Sequence, residues 1–150
     1  MKKKITVVAL SALLFALCFS AEAQQPKKVP RIGVLYARSP SSELPNIEAF
    51  RQGMRELGYV DGKNISLEYR YGEGGNDRLT NFVAEFVRLK VDVIVTGSGI
   101  AAVAAKKLTR TIPIVMAGIG DPVGIGLITN LGRPGGNITG LSSLSPQRRC

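Results

Sequence analysis

The chain has 150 residues, with 20 Lys and Arg against 11 Asp and Glu for a formal net charge of +9, no His, no Trp and two Cys. Without histidine there is no Ser-His-Asp triad, Cys-His pair or His-bound metal, and two cysteines cannot fill an all-cysteine zinc site, which needs four. Apolar residues make up 45% of the chain, enough for the packed core of one domain of ordinary composition.

Lys2, Lys3 and Lys4 precede an apolar run from Ile5 to Phe19, and Ala21-Glu22-Ala23 offers a small-x-small cleavage site, the pattern of a secretory signal. As a helix the run would span roughly 22 Å, short of a hydrocarbon core of about 30 Å, so a cleaved leader is favoured over a membrane anchor. The mature chain is expected to start at Gln24, leaving 127 residues, 17 of them basic and 10 acidic, with Cys150 as the one remaining thiol. An internal disulfide is then impossible, although an export compartment would permit one. The basic residues are scattered singly or in pairs, which argues against a nucleic-acid partner.

Gln24 to Arg31 reads as a polar tether, and Ile32 to Tyr36 as a buried strand. Ile47, Phe50, Met54 and Leu57 then share one helical face, with Gly58 as the stop. Asp61-Gly62 makes a turn, Ile65, Leu67 and Tyr69 alternate as a second strand, and Gly72 to Asn76 form a loop ending at a helix cap, Asn76 or Asp77. Leu79, Phe82, Val83, Phe86 and Val87 mark the apolar face of the next helix, and Val91 to Thr96 a β-branched third strand. Gly97-Ser98-Gly99 breaks it. A helix over Ile100 to Leu108 and a fourth strand over Ile112 to Met116 follow. The fold class is therefore α/β: a three-layer parallel sheet with helices on both faces. Beyond Ala117 the chain is rich in Gly and Pro, and Gly135-Gly136-Asn137 leads into a further strand at Ile138 to Leu141.

In an open parallel sheet, ligands sit beyond the carboxyl ends of the strands where strand order reverses. The positions there are Tyr36 to Ser42, Gly97 to Ile100 and Gly118 to Pro122. Gly97, Ser98 and Gly99 form a small polar turn at a helix start, whose free N–H groups and dipole suit a carboxylate or phosphate; the same residues also serve as an ordinary cap. Asp121, beside Pro122, is either a ligand-facing carboxylate or a turn former. Tyr36 either stacks on a flat ligand or packs at the rim. An enzyme reading is also open, since Gly97 to Ala102 satisfies G-x-G-x-x-A and Asp121 falls where a ribose-binding acid would be sought. That motif sits at the third strand, however, where a dinucleotide site ordinarily uses the first. A serine nucleophile at Ser98 lacks the glycine its elbow needs at Thr96, and GxxxxGK[ST] is absent.

Six segments in order carry a resemblance: Leu57 to Ile65, Arg78-Leu79, Val91 to Thr96, Thr111 to Val115, Gly120 to Gly124 and Arg133 to Ser142. Together they resemble the ABC transporter substrate-binding proteins of the tryptophan/tyrosine type. The resemblance implies the first lobe of a type I periplasmic-binding-protein fold, with lobe one over residues 24–136. Residues 137–150 would then be the hinge crossing and the start of a second lobe, the hinge falling at Gly136, Asn137 and Thr139, so the chain is expected to be a piece truncated after its first lobe. It further implies a periplasmic protein without cofactor or catalysis. Its partners would be a small solute, an amino acid by the family label, then a membrane permease and its cytoplasmic ATPase. The ligand loops would map to Tyr36, Gly97-Ser98-Gly99 and Asp121, the helix-start turn at Ser98 taking a carboxylate. An exported ligand-sensing domain is the alternative of a different class.

Overall fold

The structure, a computed structural model, describes residues 28–143. The expected leader, residues 1–23, and Cys150 lie outside the described residues. Strands β1 (Arg31–Tyr36), β2 (Ser66–Tyr71), β3 (Val93–Thr96), β4 (Ile114–Ile119) and β5 (Ile138–Ser142) form one sheet in the order β2-β1-β3-β4-β5. Every pairing is parallel. Helices α1 (Pro40–Glu56), α2 (Asn76–Leu89) and α3 (Gly99–Leu108) connect the first four strands.

Alternation along the strands sorts the core into two layers. Leu35, Ile94, Ile114 and Met116 point to one face and pack with Leu79, Val83 and Phe86 of α2 and the alanines Ala101, Ala102 and Ala105 of α3. On the opposite face Val34 and Tyr36 pack with Ile47 of α1, flanked by Ile32, Phe50, Leu67, Tyr69 and Tyr71. Helices thus cover both faces, as the alternating periods require. Small residues on α3 allow a close approach to the sheet, and Gly33 does the same for α2: a Cβ there would lie 2.7 Å from the Phe86 ring.

Element ends depart from the sequence reading where a distant residue supplies the decisive hydrogen bond. The first strand starts at Arg31 rather than Ile32, because Asp92 Oδ2 accepts from the Arg31 N–H at 2.8 Å while Oδ1 holds Lys28 Nζ at 2.6 Å. The same engagement removes Val91 and Asp92 from the third strand. Ile112 belongs to a turn, not a strand, since Thr109 Oγ1 accepts from the N–H groups of Thr111 and Ile112. At the end of α1, the Gly58 N–H donates to the Arg55 carbonyl and the Tyr59 N–H to the Met54 carbonyl, a Schellman reversal around left-handed Gly58. Gly58 is the stop, but the reversal swings Leu57 off the apolar stripe and leaves it 75% exposed. Neither Asn76 nor Asp77 caps α2: Gly75 holds that position and both side chains fall within the first turn.

The glycine-rich tail feeds the sheet. Asn137 donates from Nδ2 to the Ile112 and Thr109 carbonyls at 2.6 and 3.3 Å and accepts from the Ile114 N–H. Thr139 is paired with Val115. Through Ser142 the chain is therefore a strand of the same sheet, so the sheet runs past the expected boundary at residue 136, and any crossing to a second lobe lies outside the described residues.

Two expectations follow. Gly33→Ala forces a methyl into the buried Phe86 ring and should cost about 1–3 kcal/mol by overpacking. Chemical denaturation checks this, and Phe86→Leu in the same chain should recover part of the loss. The hydroxyl of Tyr69 is buried with no hydrogen-bond partner among the described residues, so Tyr69→Phe should leave stability unchanged or raise it by about 1 kcal/mol; a clear drop in the melting temperature would contradict that.

Candidate functional site

The order β2-β1-β3-β4-β5 reverses between β1 and β3, so the crevice belongs where these two strands end, at Tyr36 and at Gly97. The structure brings those residues together: a Cβ on Gly97 would stand 3.8 Å from the Tyr36 ring. Both line a cavity of about 480 Å³ on the α1 side of the sheet, with Asn46 and Phe50 of α1 as one wall and Val95, Ala117 and Gly118 as the other.

Ser98 and Gly99 open elsewhere. They line a second cavity, of about 470 Å³, between α2 and α3, together with Asn76, Thr80, Lys107 and Ile125. Ser98 is the cap of α3: its Oγ accepts from the Ala101 N–H at 3.3 Å. The turn is set by Thr96, fully buried, whose Oγ1 donates to the Ser98 carbonyl and accepts from the Ser98 N–H, both at 3.3 Å. The hydroxyl of Ser98 is thus used within the helix start, and the first-turn N–H groups beyond it are what an anion would meet.

Asp121 lines neither cavity. Its Oδ1 accepts from the Gly124 N–H at 2.8 Å, and the Leu127 N–H closes on the Pro122 carbonyl. Asp121 is therefore a turn former in this structure, and the ribose-acid role that the enzyme reading gave it has no geometric support. Tyr36 is only 6% exposed. One face of its ring is taken by Tyr71, stacked with centroids 5.8 Å apart and planes 10° from parallel, which leaves the side toward Gly97 for the cavity.

The sequence reading missed Glu43 and Asn46. Both lie on α1, and Glu43 is buried at 8% exposure while accepting from Asn46 Nδ2 at 2.8 Å. The signal was present: Glu43, Ile47, Phe50 and Met54 recur at helical spacing, so the apolar stripe begins with a carboxylate. Electrostatics ties this corner together. Burial first, then the neighbouring Tyr69, Glu43 and Tyr71, pushes the Tyr36 hydroxyl up to about 12. Burial likewise raises Tyr71 and Tyr69, against the nearby positive charge of Arg51.

The family model described as ABC transporter substrate binding protein matches residues 31–149. The chain belongs to that family. A tyrosine-binding protein of Clostridioides difficile is 33% identical over 120 residues, which cover 77% of this chain and 34% of that protein. A solved structure from Streptococcus pneumoniae, described as an ABC domain in complex with L-Trp, is 32% identical with a TM-score of 0.69 over 75% of this chain and 38% of that one. A conserved domain protein of Vibrio cholerae is 33% identical with a TM-score of 0.74, over 79% of this chain and 40% of that one. This substrate-binding protein thus spans about a third of the length of the curated relative it matches. The described sheet, parallel with helices on both faces, has the fold of a type I periplasmic-binding-protein lobe.

The raised Tyr36 hydroxyl gives a measurable signature for the substrate-binding protein. An unfolded chain loses the phenolic proton near pH 10, whereas the folded one keeps it to about 12. The folded state therefore holds more protons in between, and the stability this group contributes, complete below pH 10, declines from pH 10 toward pH 12. Ultraviolet titration of tyrosinate should show late-titrating tyrosines, and Tyr36→Phe should remove one of them.

Proposed function

We propose that the chain is the solute-capturing part of an exported ABC importer component, holding a small aromatic amino acid for delivery to a membrane permease driven by a cytoplasmic ATPase. The observation that carries this reading is the reversal of strand order at β1 and β3, where Tyr36 and Gly97 border a cavity of about 480 Å³, within the size range of small-molecule sites. The names of two relatives, a tyrosine-binding protein and a complex with L-Trp, support the solute class. Tyr36 and Gly97 would border the solute's ring, while the α3 start at Ser98 and Gly99, which opens on the other cavity, would be a separate anion-receiving turn. Asp121 would act by holding the 121–124 turn beside them. No catalytic step is involved. Residues 1–23 would direct export and be cleaved after Ala23, and Gly136, Asn137 and Thr139 would root the hinge in the edge strand β5 rather than in a free linker.

Calorimetry on the purified chain with L-tryptophan, L-tyrosine and L-phenylalanine tests this. Saturable binding is expected, with a melting temperature that rises with ligand concentration as mass action requires, and Gly97→Leu, which fills the cavity, should weaken it at least tenfold. Absence of heat and of any shift with all three amino acids would overturn the reading.

A further inference from the structure

We infer that the loop closing α1, with the arginines beside it, is a self-association surface that takes a second copy of the chain. This surface lies at the amino ends of the strands, since α1 follows the carboxyl end of β1 and the loop leads into Ser66, which is paired with Arg31 at the start of β1. It is therefore at the pole opposite Tyr36 and Gly97, and solute capture makes no use of it. The segment Leu57 to Ile65, one of the six that carry the family resemblance, presents three apolar side chains to solvent in quick succession: Leu57 at 75%, Tyr59 at 44% and Val60 at 42% exposure. The display is held in place by side chains. Asn64 accepts from the Val60 N–H at 2.7 Å and donates to the Gly58 carbonyl at 2.8 Å, and Asp61 Oδ1 accepts from the Leu67 N–H at 2.9 Å. Tyr59, Val60 and Asp61 border a concavity of about 90 Å³ together with Arg51 and Arg55, one turn apart on α1.

Closing the helix does not require this display. In a Schellman reversal the residue after the left-handed glycine packs against the last turn, which accounts for Tyr59 and Met54 sharing the concavity. The side chains of Leu57 and Val60 have no such role, and polar ones would serve the reversal as well. Apolar side chains grouped with Tyr and Arg have the composition of a contact surface. The charges decide what covers it. Arg51, Arg55 and Asp61 are exposed, and none of them takes part in an ion pair among the described residues. An acidic partner would meet Asp61, and a basic one would meet both arginines; a surface carrying both signs satisfies all three. The patch is itself such a surface. A two-fold axis through it sets the arginines of each copy against Asp61 of the other, the reciprocal pairing of an isologous contact, and covers Leu57 and Val60 in the same step.

Sedimentation equilibrium of the purified chain tests this, with a reductant present because Cys18 or Cys150 would otherwise be free to link copies. A patch of this size is at the low end of specific interfaces, so a dissociation constant on the order of 100 µM is expected. The mean mass should then rise from one chain toward two between about 10 µM and about 1 mM. Arg51→Glu with Arg55→Glu leaves all three charged positions acidic, and Asp61→Lys leaves them all basic; each variant alone should associate about tenfold more weakly or worse. Mixed in equal amounts, the two should pair with each other to within about threefold of the wild-type affinity, because opposite signs again face across the axis. Leu57→Asn leaves the charges alone and should also weaken association about tenfold, which keeps the inference testable if Asp61→Lys loses its bond to Leu67 and fails to fold. A wild type that remains one chain at about 1 mM overturns the inference and assigns the patch to some other partner. So does a dimer that survives both the arginine pair and the Leu57 substitution. Neither result bears on solute capture, which calorimetry reads at the opposite pole.

Discussion

The structure depends on β1 being covered on both faces at once. It lies between β2 and β3, and its consecutive residues Val34, Leu35 and Tyr36, all 6% exposed or less, enter opposite layers. A parallel strand is stable in this position only when both sides are dry, so α1 and α2 are required together. Gly33 sets how near α2 can come, because Phe86 occupies the space where its side chain would stand. Burying the first strand so fully fixes where it ends, and the end of the first strand is one wall of the candidate site.

The edges obey a different logic. β2 is an edge strand whose α2-facing side carries Glu68 and Arg70, not aliphatic residues. Arg70 pairs with Glu85 on α2 at 2.6 Å and places its guanidinium carbon 5.8 Å from the Phe86 ring centroid. Its hydrogen bond holds the Glu85 carboxyl below the usual carboxylate range. Charges on an inward face discourage a further strand from joining there. At the other edge Gly140 lies at φ 135°, and a Cβ there would strike the backbone of Met116, so the close pairing of β5 with β4 requires glycine.

Much of this was legible in the residues, for definable reasons. Local patterns located every strand and helix: apolar runs and periodicity for the first four strands and for α1 and α2, alanine-rich composition for α3, and the Gly135-Gly136-Asn137 turn for β5. Local patterns cannot reveal partners distant in sequence: Asp92 caps a strand that begins 61 residues earlier, and Thr109 closes its turn only because the chain reverses into β4. Ser98 was readable as a cap since its acceptor role is satisfied three residues on. That Tyr36 and Gly97 adjoin was readable from topology. Their separation from Ser98 and Gly99 was not, because it depends on which face of the sheet each cavity occupies. Glu43 was passed over because attention to an apolar stripe discounts the charged residue that begins it.

The cavity beside Tyr36 has a geometric origin that links fold to function. A helix with its side chains is roughly 10 Å across and strands are spaced by about 4.8 Å, so one helix covers about two strands. On the face with α2 and α3, two helices serve β1, β3 and β4. On the other face α1 packs over β1 and β2 alone. Val93, Val95 and Val115 are left half-buried there, and Ala117, Thr139 and Leu141 are exposed. The cavity is the step between the covered and uncovered parts of this face, with α1 residues on one side and Val95, Ala117 and Gly118 on the other. A second helix laid across β3 and β4 at their carboxyl ends would fill it. Among the described residues this step places Asn46 and Tyr36 beside the space.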